Sequence, residues 1–366
     1  MKRILLIGGG TGGHIVPLLA VGRELQKTAG EKGVNLNLMV LTDDGTWQNE
    51  FESEGIRFKK IFVPKFRRVQ GGKINYLSFL AVPVAFVQAL WLLFIFMPDL
   101  VFSKGSFASL APSIVSRLYF IPLFIHESDS IPGLVNRFLA GSAKKVFISF
   151  EAAARYFPNK NLILSGNPIR ESLTQGKKSE AARFFNFNPN VKTILFLAGS
   201  QGARFINQLV IDGLVRLTDE FQIIHQTGIK NFDSVKSESD KIISEGVENY
   251  GKKIEANYRI FGLLKEEELK NAYAMCDIII SRAGSGIFEI SAVGKPAIVI
   301  PYPYSSKNHQ RENALEFAEF GAVAMEEKNL GLGTLINQIS YLLKPEIYSA
   351  TSEKIKQFAK PDAAKI

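Results

Sequence analysis

Cysteine is nearly absent from the chain. Cys276 is the only one among 366 residues, which excludes an intrachain disulfide and makes a reducing compartment the simpler expectation. Histidine is sparse as well: His14, His126, His225 and His309 are the four. No two of them stand at metal-ligand spacing, so no protein-held metal is expected. Lys2 and Arg3 precede only four apolar residues before a run of glycines. That is too short for a signal-peptide core, and retention in the cytoplasm is the expectation. Zinc-finger spacing, a basic zipper and an RNP-type aromatic motif are all missing, so nucleic acid is not an expected partner. Acid is missing locally. Between Gly55 and Pro98 there is no Asp or Glu, while Arg57, Lys59, Lys60, Lys65, Arg67, Arg68 and Lys73 fall in the same stretch. With a net charge of +9, this cationic run points to an anionic partner such as a phosphorylated substrate or an anionic membrane surface.

What is present is a globular composition, 46% apolar and 22% charged, in a chain long enough for two domains with separate cores. Residues 77–97 read LSFLAVPVAFVQALWLLFIFM, which reaches the length of a membrane-spanning candidate. A spanning helix would put the flanking halves on opposite sides of a bilayer, which one enzyme fold could not survive. A wholly buried helix has little use for so many large apolar residues. A domain helix whose outer face dips into the membrane interface, beside the cationic run, accommodates both features.

Each half of the chain begins with strand, glycine turn and helix. Strands are predicted at 3–7, 36–41, 100–102, 123–126 and 145–149. The pattern restarts near Val191, with strands at 192–197, 221–225, 258–261, 277–281, 297–300 and 322–324. Helical periodicity lies between them. The expectation is an α/β protein of two Rossmann-like doubly wound domains facing a central cleft, divided into residues 1–165, 166–345 and a helical tail at 346–366.

The first glycine turn, residues 8–13, satisfies G-x-G-x-x-G, and Asp43 and Asp44 close the following strand. A dinucleotide-binding protein would show that combination, but such a reading leaves the second half without a task. There, Ser281-Arg282-Ala283-Gly284-Ser285-Gly286 leads into a helix carrying Glu289. Small residues let backbone N–H groups meet phosphate oxygens, and Glu289 is placed to hold ribose hydroxyls. Downstream, His309, Gln310 and Asn313 follow the strand ending at Pro301 and are suited to reading sugar hydroxyls. His225 ends a strand and has packing as its plain alternative. His126, Glu127 and Asp129 enter a loop where the two carboxylates either orient an acceptor and back up a base or cap the next helix.

Together these stretches resemble the MurG family, inverting glycosyltransferases of family 28 and two-Rossmann (GT-B) architecture. The matching segments are GGTGGH at 9–14, HES-D with I-x-G at 126–133, GNP-I-R at 166–170, GSQGAR-x-x-N at 199–207, H-Q-T-G at 225–228, SRAG at 281–284 with Glu289, and HQ-x-x-NA at 309–314. The resemblance implies UDP-N-acetylglucosamine as donor, the membrane-borne lipid I as acceptor, no cofactor and no metal. It assigns the acceptor and membrane to the first domain and the nucleotide-sugar to the second. Carried across by position, Thr11, Gly12 and Gly13 line the sugar–diphosphate region, and His14 is the candidate base, with Glu127 behind it. Arg170 and Ser200 contact the donor, and Leu264 offers a backbone contact to uracil. Ser285, Gly286, Ile287 and Phe288 meet the phosphates and Glu289 the ribose. Gln310 reads the N-acetylglucosamine, with His309 and Asn313 nearby. Peripheral attachment at the cytoplasmic face of the cell membrane follows, and nothing sets an oligomeric state.

The chain departs from the family pattern in three places. HEQN has become HESD, which puts Asp129 where an amide is usual; the segment from Ser281 to Glu289 is one residue short; and the second glycine loop is thinned to Lys104-Gly105-Ser106-Phe107-Ala108-Ser109. A transferase using another lipid acceptor and an idle sugar-nucleotide sensor are the readings these departures keep open.

Overall fold

A computed structural model of the protein describes residues 1–10, 12–63, 82–158, 161–246 and 248–366. Thr11, the bases Lys65, Arg67, Arg68 and Lys73, and residues 77–81 of the apolar stretch lie outside the described residues. The chain forms two compact units, residues 1–169 with 362–366, and residues 170–361.

The first unit is built on β1 (Lys2–Ile7), β2 (Leu36–Thr42), β3 (Arg57–Lys60), β4 (Leu100–Ser103), β5 (Leu123–Glu127), β6 (Lys145–Ile148) and β7 (Leu162–Leu164). Their order is β3-β2-β1-β4-β5-β6-β7 and every pairing is parallel. Helices cover both faces of such a sheet, so its central strands are apolar throughout. Leu5, Leu6 and Ile7 accordingly have no exposed surface. Two strands escaped the sequence reading. β3 reads RFKK, with only Phe58 buried, which is the charged dress of a sheet edge. β7 is three residues long.

The helix Val82–Phe96 buries Ala85, Ala89, Leu93 and Phe96 at helical spacing against the sheet core. Its other face is apolar and exposed: Val84, Val87, Trp91, Phe94 and Ile95 are each more than half accessible. Its one polar interior residue, Gln88, accepts from the Phe62 amide at 2.8 Å and donates to the Lys60 carbonyl at 3.0 Å. The helix is thereby fastened beside the cationic edge. Phe107 and Leu118 on the neighbouring helix Phe107–Leu118, and Phe120 just past its end, extend the exposed apolar surface. Among the described residues no helix is long and apolar enough to cross a membrane.

The second unit repeats the plan with β8 (Thr193–Leu197), β9 (Gln222–Gln226), β10 (Tyr258–Phe261), β11 (Ile278–Ser281), β12 (Ala297–Val299) and β13 (Val323–Ala324). All are parallel, in the order β10-β9-β8-β11-β12-β13. The helix Pro345–Lys356 packs on the helix Ile287–Val293, and Phe358 beyond it stacks on Phe288 with ring centroids 4.9 Å apart. In both sheets the order reverses after the first strand, between β1 and β4 and between β8 and β11. Ligands of open α/β sheets bind outside the carboxyl ends of strands at that reversal. Residues 8–10, 12–13 and 104–106 lie at the first such point, and residues 198–203 and 282–286 at the second.

Candidate active site

The first reversal is close-packed. A Cβ on Gly9 would stand 2.2 Å from Asp43 Oδ1 and 2.7 Å from the Ala108 Cβ, so only glycine lets this loop lie against the helix Phe107–Leu118. Gly10, at φ 84°, donates its N–H to Asp43 Oδ1 at 2.8 Å. Asp44 accepts from the Thr46 amide and hydroxyl. Both acids expected of a ribose-binding dinucleotide site are therefore engaged, Asp43 by the glycine turn and Asp44 within its own loop. Gly12, Gly13 and His14 form the first turn of the helix Gly12–Glu31 and are partly exposed.

Behind this turn is a charged cluster that sequence reasoning missed. Lys104 follows β4, its amide donating to the Ile7 carbonyl at 2.8 Å, and its side chain has no exposed surface. Lys104 Nζ lies 2.7 Å from His126 Nδ1 and 2.8 Å from Asn167 Oδ1. His126 Nε2 lies 2.8 Å from the Gly166 carbonyl, which can only accept. Nε2 therefore carries the proton, and Nδ1 accepts from the ammonium. Burial, reinforced by the Lys104 charge, holds His126 well below the ordinary imidazole range. Burial also pushes Lys104 down to about 7, against the opposing pull of Glu127 and Asp129.

Glu127 is buried at the end of β5. Its carboxylate accepts from the Asp129 amide (3.0 Å), the Gly133 amide (3.1 Å) and Asn136 Nδ2 (2.9 Å). Gly133 caps the helix Leu134–Leu139, so Glu127 takes the capping alternative rather than an open place beside a substrate. Burial and the Asp129 charge raise it to about 7. Asn136 also donates to the His126 carbonyl, and a Cβ on Gly105 would stand 2.8 Å from its amide. Ser106 next to it sits at φ 75°, ψ 167°, a conformation suited to glycine. The signal for this cluster was a lysine in a small-residue turn at a strand's carboxyl end.

The second reversal is held by neutral groups and one ion pair. Gly199 and Gly202 take positive φ, and a Cβ on Gly228 would stand 2.3 Å from the backbone of Gly202, so the two turns touch main chain to main chain. His225 has no exposure, and Asn207 Nδ2 donates to the Thr227 carbonyl at 3.0 Å. The Asn207 oxygen then accepts from His225 Nε2 at 3.0 Å, and Nδ1 accepts from the Tyr258 hydroxyl at 2.9 Å. Burial lowers His225 to about 3; it is a packed, neutral scaffold residue.

Arg170 and Glu289 were assigned separately to donor phosphate and ribose. The structure pairs them: Arg170 Nε to Glu289 Oε1 at 3.0 Å and Nη2 to Oε2 at 3.1 Å, with side chains 4% and 12% exposed. The Nε and Nη2 edge of the guanidinium is taken, so Arg170 orients Glu289, whose oxygens keep further lone pairs for hydroxyl donors. Other assigned residues bond internally. The Leu264 amide is buried and donates to Gln226 Oε1 at 3.0 Å, so its N–H is engaged within the second unit. Asn313 has no exposure and donates to the Ala283 carbonyl at 3.0 Å, so it shapes the 281–286 turn. The Ile287 and Phe288 side chains lie in the core, and their amides bond back to Gly284 and Ser285 at 3.1 and 3.3 Å. Ser200 and Ser285 remain partly exposed and Gly286 exposed in the turns after their strands, and His309, the first residue of the helix His309–Glu319, is partly exposed.

Gln310 Oε1 accepts from the Tyr302 amide at 2.9 Å. Arg282 donates to the Ile300 carbonyl at 3.0 Å, pairs with Glu327 and places its guanidinium over the Tyr302 ring. Beside it opens a cavity of about 530 Å³ walled by Phe205, Tyr302, Tyr304, Asn308 and Arg311. Lys307 and Asn308 at its rim are both left-handed, at φ 53° and 58°. Aromatic faces with adjacent polar groups suit a sugar-sized ligand.

Two parallel sheets that share a strand order at their reversals, each carrying small-residue turns there, make this a two-Rossmann (GT-B) protein. The glycosyltransferase family 28 N-terminal domain matches residues 4–148 and the family 28 C-terminal domain residues 193–366. A relative from Caldanaerobacter subterraneus subsp. tengcongensis, a UDP-N-acetylglucosamine--N-acetylmuramyl-(pentapeptide) pyrophosphoryl-undecaprenol N-acetylglucosamine transferase, is 34% identical over 99% of this chain and 97% of its own length. One of the same name from Halothermothrix orenii is 34% identical over 93% and 90%. In fold the chain is similar to Acinetobacter baumannii MurG (TM-score 0.68, 22% identity, covering 100% and 97%) and to a Neisseria meningitidis UDP-GlcNAc 2-epimerase (TM-score 0.69, 17% identity, 100% and 98%). The chain belongs to glycosyltransferase family 28.

Proposed function

We propose that the protein transfers N-acetylglucosamine from UDP-N-acetylglucosamine to the 4-hydroxyl of lipid I, undecaprenyl-pyrophosphoryl-N-acetylmuramoyl-pentapeptide, giving lipid II with inversion. The observation that carries this reading is full-length identity of 34% to relatives bearing that name. The second unit takes the donor: Glu289, held by Arg170, accepts from the ribose hydroxyls, and the cavity beside Tyr302 and Gln310 takes the sugar. The first unit takes the acceptor, its diphosphate at Gly12 and Gly13. His14 accepts the proton of the attacking hydroxyl as the bond from C1 to UDP breaks, a contribution of roughly a hundred- to ten-thousand-fold.

The same reading docks the first unit on the cytoplasmic face of an anionic membrane. The exposed apolar face of the helix Val82–Phe96 beside Arg57, Lys59 and Lys60 supports it. So do Met97 and Phe120, large apolar residues at left-handed φ of 44° and 56°, exposed by 48% and 94% where a folded core gains nothing from them. Turnover of labelled UDP-N-acetylglucosamine onto lipid I tests the activity. Transfer to a different lipid, or binding without transfer, overturns it in favour of another acceptor or a sensor.

A further inference from the structure

Lys104 is the one cation among the described residues that is wholly buried at the reversal of the first sheet. Its backbone is joined to the end of β1, where the glycine turn begins, and the next two residues start the turn that packs against Gly9 through Ala108. We propose that Lys104 is the buried cation beneath the diphosphate subsite of the first unit, and that a diphosphate enters there together with a proton. This rests on the reading that the first unit takes a diphosphate-bearing acceptor, and it adds the residue that answers the charge and the way it does so.

The geometry leaves Lys104 unable to touch a ligand, since its side chain has no exposure and its Nζ is held by His126 and Asn167. It acts through its field, as a positioning residue. That field is only weakly fixed by its surroundings. The ammonium is fully desolvated, its nearest side-chain partners are a neutral imidazole and a neutral amide, and the only acids acting on it are Glu127 and Asp129. Glu127 is itself pushed towards its neutral form by burial. The other ionisable groups facing the cluster are His14, whose field reaches His126, and Asp43, bonded to Gly10. With Lys104 at about 7, it is largely uncharged at pH 8. An incoming polyanion above it favours the ammonium and draws a proton from solvent.

The test is calorimetric titration of the full chain with a short, soluble prenyl diphosphate at pH 8, in buffers of different ionisation heat. Proton uptake approaching one per ligand is expected, with affinity falling up to tenfold per pH unit between pH 8 and 9. The diphosphate itself is fully ionised there and contributes no such slope. Uptake should vanish in Lys104→Met and persist in Glu127→Gln and His14→Gln. Uptake that disappears with His14 or Glu127 instead, proton-neutral binding, or no binding overturns the proposal. If Lys104→Met does not fold, the wild-type slope with the other two variants decides. No glycosyl transfer is involved, so proton-linked binding without turnover counts against the transferase reading alone, and turnover with proton-neutral binding against this inference alone.

Discussion

Beneath the ends of β1 and β4 the first unit buries an ammonium, an imidazole and a carboxylate, two of which stand near 7. At the matching place the second unit buries a guanidinium against a carboxylate in a two-pronged pair. Strand order is shared, so the sheet does not dictate this difference. An arginine stays charged in any protein interior, and its planar fork locks a carboxylate in one orientation. A lysine yields its proton when desolvated. On the reading proposed above, the second unit presents a fixed acceptor to a ligand, and the first changes its charge when one arrives.

The sharpest way to break the comparison is at the chemistry. His14→Ala should lower transfer by roughly a hundred- to ten-thousand-fold and leave UDP-N-acetylglucosamine affinity unchanged by titration. Equal loss of donor affinity would make His14 a ligand. Next comes the fixed pair. Glu289→Ala strands a guanidinium that is 4% exposed and should destabilise the second unit by about 3 kcal/mol, read as a lower calorimetric transition. Arg170→Met with Glu289→Leu should recover most of that stability while donor binding stays lost. Full stability in Glu289→Ala would mean that the pair orients nothing.

The first unit should respond to pH where the second does not. Lys104 is depressed in the folded state, so its contribution is complete above its ordinary value near 10.5 and is lost as pH falls through 7. Glu127 is raised, so its contribution is complete below about 4.5 and is lost as pH rises through 7. Both leave the first unit least stable around neutrality. Its thermal transition should rise from pH 7 to pH 9, and the rise should vanish in Lys104→Met. A rise that persists in that variant assigns it elsewhere. The smallest expected effect is at Phe120. Phe120→Gly relieves a left-handed conformation and should add about 1 kcal/mol, while weakening co-sedimentation with anionic liposomes. Unchanged co-sedimentation would separate that residue from the membrane.

Much of this was legible because parallel strands buried on both faces are written as unbroken apolar runs, and the small-residue turns after them mark the reversals. The edge strand RFKK broke that rule by carrying its charges outwards, and β7 was too short to show a pattern. The site was legible as motifs but not as partnerships. Arg170 and Glu289 are 119 residues apart, and Lys104 meets His126 and Asn167 across 22 and 63 residues. Nothing local records such pairings. Asn313 reads as a ligand group, and Glu127 as either a base's partner or a helix cap, because a polar residue that shapes a turn and one that touches a substrate look alike until burial is known. The departures Lys104 and Asp129, separate in the sequence, belong to one electrostatic cluster in the fold.

The contact of Gly202 with Gly228 bears on how this protein can change over generations. A Cβ on Gly228 would meet the backbone of Gly202, and one on Gly202 would meet the Asn231 amide and the Thr227 carbonyl, so a substitution at either is stopped by packing before selection on catalysis begins. A library built to shift donor preference gains most by holding both fixed and drawing its diversity from the partly exposed Ser200 and the exposed Gln201, just before Gly202.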